Sequence, residues 1–368
     1  MSPIRIHWEM TKEGRRCAID DRQASDEGRR FGWYRPMKIL FSVLVAGLLL
    51  ANPATAAGPS APTPQIWFSM GALTSPAGHQ SWDTLFYNPD APWPEFMNHL
   101  HVVGILTQAL LKISDEDLAK VVVRLKQKHV ALGIEMLAQA YTLPGIDAPP
   151  HCGEGVEGHY APFATAALAA KLKRAGATLD YIAMDEPLWF GHYYNGKLAC
   201  HSSIENVAER VAANLREYQK VFPHVIIGDG EPFPSITDQP HWQDDYKEWL
   251  RFFQVKTGQP LAYTFVDINW GVTHWPASLQ AMRDFAHQVH LPLGTIYNDA
   301  PPRAAMSNQD WLDDAVRNFT HIERTLRVSP DWLAFSSWEK YPGHALTDSY
   351  GVGEDYLVKQ YLQLHGVK

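Results

Sequence analysis

The 368-residue chain holds only three cysteines, too few to build a disulfide-dense scaffold, so an ordinary apolar core has to hold the fold. Long apolar runs are scarce as well. The single candidate, Ile39 to Leu50, falls short of the ~20 residues a membrane-spanning helix needs. No G-x-S-x-G segment offers a nucleophilic serine on a strand-to-helix turn. The first strand-like run, IWFSMGA, carries no H-x-H pair, and His99-x-His101 stands before the second run, at the wrong end for a metal-dependent barrel hydrolase. The following FSMGALTSPAGHQ is no dinucleotide-binding fingerprint. Internal repeats, heptads and low-complexity tracts are absent. Neither a cofactor nor a metal is implied.

What is present begins with a leader. Residues 38–56 read KILFSVLVAGLLLANPATA: one lysine, a short apolar stretch, then small residues ending A-x-A. That layout predicts a secretory signal peptide over 37–56, with Met37 as a natural start. Residues 1–36, rich in Arg, Asp and Glu and without periodicity, are expected to be a disordered extension or a mis-assigned start. Residues 57–65 form a Pro-rich linker. Beyond residue 56 the chain carries 23 basic and 34 acidic residues, a net charge of −11. An exported, secreted or periplasmic protein of that charge suits neutral or cationic ligands rather than nucleic acid or an anionic membrane. No stable membrane insertion is expected after cleavage; the oligomeric state is not legible. Of the cysteines left, Cys152 and Cys200 sit in polar stretches, HCGEGVEGHY and KLACHSS, and predict one disulfide clipping two loops together.

From residue 65 one rhythm persists. Eight aliphatic or β-branched runs (66–71, 101–106, 131–137, 181–186, 224–231, 261–270, 291–299 and 332–339) alternate with helical stretches. Residues 114–129 place Leu118, Val121, Val122 and Leu125 at helical spacing behind an acidic first turn. Residues 161–177 are Ala-rich. Residues 202–223 open on Ser202-x-x-Glu205, a capping-box pattern, and helices are also predicted at 308–326 and 353–365. Eight such units predict a single α/β domain over 66–368, a closed (β/α)8 TIM barrel with its site at the C-terminal ends of the strands.

Those ends are rich in acids and aromatics. The fourth run ends on Asp185-Glu186, followed by Trp189 and His192. The fifth carries Asp229 and Glu231, and the sixth Asp267, Asn269 and Trp270. The seventh ends Tyr297-Asn298-Asp299, and the eighth Trp338-Glu339. Glu135, inside the third run, either pairs within the barrel or points into the bowl. Acids gathered together raise one another's pKa, and a protonated acid beside an ionised one is the equipment of glycosidic cleavage. Flat indoles suit the apolar faces of sugar rings. Glu186 is the candidate acid; Glu339, Glu231 and Asp299, in that order, are candidates for the second carboxylate. Asp185, Trp189, His192, Asp229, Asp267, Asn269, Trp270, Tyr297, Asn298 and Trp338 are candidate carbohydrate contacts. A non-catalytic carbohydrate-binding barrel and a metal-dependent barrel hydrolase are the competing readings.

Met184-Asp185-Glu186-Pro187 resembles the Asn-Glu-Pro signature of clan A retaining glycoside hydrolases, and SSWEKYPG is similar to that clan's Trp-ended last strand. The resemblance implies a TIM barrel and a glycosidase in which Glu186 is the general acid/base. It departs at Asp185, where the clan has Asn, and at TIYND, where the clan's seventh strand ends on a nucleophilic Glu.

Overall fold

The computed structural model describes residues 64–69, 80–141, 143, 145–146, 148–298, 307–337, 341–347 and 353–367. Residues 1–63, with the extension, the leader and most of the linker, lie outside the described residues, as do Asp299, Trp338 and Glu339.

Each predicted run contributes one strand: β1 Gln65–Ser69, β2 Val102–Leu106, β3 Ala131–Met136, β6 Tyr181–Asp185, β7 Ile226–Phe233, β8 Thr264–Ile268, β9 Leu293–Tyr297 and β10 Trp332–Ser336. Two short strands, β4 Gln139–Ala140 and β5 His159–Tyr160, pair separately as a parallel ribbon. The eight long strands are parallel and close in the order β1-β2-β3-β6-β7-β8-β9-β10, with Phe68 beside Phe335 where β1 meets β10. Eight helices are seen among the described residues: α1 Thr107–Lys112, α2 Asp115–Lys128, α3 Pro162–Arg174, α4 Ile204–Gln219, α5 Trp242–Thr257, α6 Trp275–Val289, α7 Asn308–Thr320 and α8 Glu354–Leu364. None of them is long and apolar enough to cross a membrane.

Local chemistry sets the helix ends. Ser114 caps α2 by accepting from the Asp117 N–H, and Leu118, Val121, Val122 and Leu125 are buried as their spacing predicts. On α4 the cap falls one residue later than predicted. Ser203, not Ser202, accepts from the Asn206 N–H at 3.2 Å, because the Ser202 N–H is committed to the Gly191 carbonyl at 2.9 Å. The predicted 308–326 helix is α-helical only to Thr320 and finishes as a wide turn over His321–Thr325.

Strand side chains alternate between helices and lumen. Inside the barrel, Trp67, Val102, Tyr263, Phe265 and Ala334 form a buried cluster, with Tyr181, Ala183 and Trp332 packed against it. Trp332 stacks on Tyr263 at 4.6 Å between ring centres, and Trp67 meets Phe265 edge-on at 5.7 Å. Each such pair adds ~1 kcal/mol beyond the area it buries. Glycine on the neighbouring strands makes room: a Cβ at Gly133 would lie 2.7 Å from the Trp67 ring, and one at Gly228 2.3 Å from Tyr263. The aromatics thus plug the lower lumen and leave the upper end for polar groups.

Candidate active site

Two residues beyond each lumen aromatic or small residue, the same face turns acidic. Glu135 follows Gly133 on β3, Asp185 follows Ala183 on β6, and Asp267 follows Phe265 on β8. The ladder sets Glu135 beside Ala183, Asp185 beside Gly230 and Asp267 beside Pro232. The strand periodicity therefore gathers three carboxyls above the aromatic plug.

Glu186 comes next in the chain after β6. Its φ of 43° lies in the left-handed region, sparsely populated by residues with a Cβ and held only where the surroundings enforce it. The enforcement is visible. The Glu186 N–H donates to the Gly230 carbonyl at 2.9 Å, and the Glu186 carbonyl accepts from the Phe190 N–H at 3.0 Å. Gln139 Nε2 donates to the Pro187 carbonyl at 3.0 Å. The Glu186 residue is only 6% exposed, and among the described residues no donor reaches its carboxyl. Burial pushes its pKa well above the usual carboxylate range, and Asp185, Asp267, Glu157 and Glu231 push it further the same way. Glu135 is pushed up to about 7 by burial, Asp267 and Glu157.

Glu157 is absent from the sequence prediction. It lies in the long loop after β3, which the β4–β5 ribbon folds back: the Gln139 N–H donates to the Gly158 carbonyl at 2.8 Å. The predicted Cys152–Cys200 disulfide is formed and ties this loop to the one after Glu186. Arg210 lies buried against it, its guanidinium facing both sulfurs at 3.7–3.8 Å and donating to the Tyr141 carbonyl at 2.7 Å. His159, 3.6 Å from the Cys200 sulfur, is pushed down to about 4 by burial.

Three predicted site residues face away from the bowl. Asp229 and Glu231 share the outward face of β7 with Ile227, since their inward neighbours are Gly228, Gly230 and Pro232. Asp229 accepts from Trp249 Nε1 at 2.7 Å and from the Tyr246 hydroxyl at 3.3 Å, both on α5. Burial lifts it to about 6 against those bonds. Glu231 uses one oxygen for the Leu188 N–H at 2.7 Å and the other for the Trp189 N–H at 3.0 Å. It is a two-pronged cap on the turn that carries Glu186, its pKa raised by burial and Asp229. Tyr297 packs outward among Phe319, Phe335 and Tyr361 and donates to Glu323 at 2.6 Å. The reason is common to all three: a strand buried on both faces gives no polarity contrast to say which face is lumen.

The remaining candidates lie beyond the strand ends. Trp270 is half-buried, donates through Nε1 to Asn298 at 2.6 Å and meets Trp275 edge-on at 5.1 Å. Asn269 is exposed and accepts from the Gly271 N–H. Trp189 is half-buried beside Tyr193, and His192 Nδ1 is 2.7 Å from the Ser202 carbonyl.

The buried acids set a pH dependence of stability. A carboxyl whose folded pKa is raised is held neutral by the fold, while the unfolded chain sheds that proton more readily. Its contribution is complete below about pH 4 and is lost as pH rises through the folded pKa. For Asp229 and Glu135 that window runs up through about 6 and about 7, and Glu186 and Glu231 act in the same direction. The thermal midpoint therefore falls between pH 5 and pH 8, each unit of raised pKa amounting to about 1.4 kcal/mol. A calorimetric melt that is flat or rising over this range would contradict the assignment.

No family model and no curated protein matches the chain. Among solved structures it is similar to native xylanase 10B from Thermotoga maritima, at 12% identity and TM-score 0.49, over 82% of this chain and 95% of that one. It is also similar to GH5_18 from Streptomyces cattleya in complex with GlcNAc, at 11% identity and TM-score 0.48, over 83% and 81%. A structure of L-ribulose 3-epimerase matches at 9% identity and TM-score 0.45, over 83% and 94%. At these identities and TM-scores the likeness carries no argument about this chain, whose barrel is established by its own eight closed parallel strands.

Proposed function

We propose that this protein is an exported glycoside hydrolase that cleaves an oligosaccharide or polysaccharide with two carboxyl groups. Glu186 is the general acid/base. A carboxyl removed from water and ringed by negative neighbours has its pKa raised, which favours the protonated form that the leaving glycosidic oxygen needs. That buried carboxyl at the end of β6, with Asp185, Asp267, Glu157 and Glu231 around it, is the observation that carries the reading. Candidates for the second carboxylate, nucleophile or water-activating base, are Asp267 on β8, two strands from β6 in the ring and acting on both Glu186 and Glu135, and Glu339 and Asp299, which come after β10 and β9 in the chain. Glu231 is assigned to positioning, since both its oxygens hold the Glu186 turn. Trp189 and Trp270 offer ring faces to the sugar. The test is a turnover screen of the purified protein against a panel of glycans, with product anomers followed by NMR. A retained or inverted anomer reports a close or a distant carboxyl pair; no turnover on any glycan sinks the proposal.

A further inference from the structure

Gln139 is a fully buried amide that uses only part of its hydrogen-bonding capacity. Its Nε2 donates to the Pro187 carbonyl at 3.0 Å, and its Oε1 has no partner among the described residues. Burying a half-satisfied amide costs stability that an apolar side chain of the same length would not, so stability alone does not account for an amide at this position. The one bond it makes falls on the residue after Glu186. The backbone around Gln139 is fixed on both sides by α4. Asn214 Nδ2 donates to the Ala138 carbonyl at 2.9 Å, and the Arg210 guanidinium donates to the Ala140 carbonyl at 3.3 Å. Both of those side chains are fully buried. The Gln139 N–H donates to the Gly158 carbonyl at 2.8 Å, next to Glu157. Gly158 in turn sits on the end of β6, where a Cβ would lie 3.0 Å from Phe190 and 3.4 Å from the Asp185 carbonyl. One residue therefore joins the ribbon loop to the turn that carries Glu186.

We infer that Gln139 is a positioning residue for Glu186, gripping the turn of the general acid/base from the ribbon side while Glu231 grips it from β7. The inference rests on the hydrolase reading and adds a residue to that same site. The two grips are complementary. Glu231 accepts from the Leu188 and Trp189 N–H groups, whereas Gln139 donates to the Pro187 carbonyl that precedes them. The Glu186 N–H is held by the Gly230 carbonyl. Each residue from 186 to 189 is thus tied to a neighbouring element. A left-handed φ of 43° at a residue with a Cβ requires such enforcement. The fit behind Gln139 is close as well: a Cβ at Gly191 would press on its Oε1, so glycine leaves room for the amide there.

The test is Gln139→Met in the full-length protein, a side chain of similar length without a donor. On the glycan that the wild-type protein cleaves, kcat is expected to fall about 10- to 100-fold, the scale of a misplaced catalytic group. KM is expected to change by less than about three-fold. The alkaline limb of the pH profile moves to lower pH, because a turn released from the ribbon admits water to Glu186. Burial is the first cause of that group's raised pKa, ahead of Asp185, Asp267, Glu157 and Glu231. The Glu186 titration itself, followed by infrared difference spectroscopy and assigned by its loss in Glu186→Gln, is expected to shift the same way without any substrate. Gly191→Ala leaves Gln139 in place and crowds its amide, so it produces the same pattern and adds nothing further when combined with Gln139→Met. It decides the matter if Gln139→Met does not fold. A folded variant with wild-type kcat and an unmoved Glu186 titration overturns the inference and leaves the hydrolase reading standing, as does a loss confined to KM or to the melting midpoint. If wild type cleaves no glycan, the hydrolase reading falls and the titration alone decides: a lowered midpoint keeps Gln139 as the residue that places Glu186, and an unchanged one removes it.

Discussion

Glu186→Gln removes turnover by roughly 10²- to 10⁴-fold, the contribution of a positioned general acid, while sugar binding persists. The amide keeps the size of the side chain and demands no new space at a residue only 6% exposed. It has no acidic proton to give to a leaving oxygen. The loss therefore falls on kcat, with KM little changed, on whichever glycan the screen identifies. The pH profile provides a second reading. The working form is the protonated acid, so activity is lost as pH rises through the Glu186 pKa, which burial and four carboxylates have raised. Glu157→Gln deletes one of those charges, lowers that pKa and moves the alkaline limb to lower pH. A Glu186→Gln enzyme of wild-type activity would remove Glu186 from the reaction and pass the acid role to another carboxyl.

The sequence shows the barrel clearly and the site only in part. Apolar runs of four to eight residues alternating with amphipathic stretches require covered parallel strands, so all eight strands fall within or next to their predicted runs. The ends shift where ladder pairing rather than composition decides. β7 runs on through Pro232 and Phe233 because they still align with Asp267 and Ile268, and the sixth run starts at 261 while β8 starts at Thr264. Facing is harder to read. Asp185 and Asp267 have lumen parity; Asp229, Glu231 and Tyr297 have the opposite parity, and the polarity of neighbouring residues does not separate the two groups. A clue existed in Gly228-x-Gly230, since small residues sit where bulky lumen aromatics such as Tyr263 press close. Glu157 carried less signal still. It comes to Glu186 only through the two-residue β4–β5 pairing and the disulfide, long-range events that no short window contains. Its flanking Cys152 and His159 marked the loop as structured without showing where it folds.

The double variant Cys152→Ala, Cys200→Ala is expected to lose about 4 kcal/mol of stability, from the loop-closure entropy of a cross-link spanning this length of chain; the two cysteines are 48 residues apart. For a barrel of this size that lowers the melting midpoint by roughly 6 °C. Entropy is not the whole of it. Both sulfurs are buried, Cys152 at 2% and Cys200 at 4% exposure, and the Arg210 guanidinium facing them is itself fully buried. Its remaining hydrogen bonds go to the Ala140 and Tyr141 carbonyls, so alanines in place of the sulfurs leave part of a buried cation facing apolar methyls, an added cost. A thiol reductant does something different. It yields two thiols whose sulfurs still face the Arg210 guanidinium as acceptors, so the reduced protein keeps a polar partner for Arg210 that the double alanine lacks. Reduced wild type is therefore expected to melt above the double variant and below the oxidised protein. Turnover falls in both, because the bridge holds the Glu157 loop against the Glu186 loop. A calorimetric series with all three midpoints coincident would show that the bridge contributes nothing to the fold.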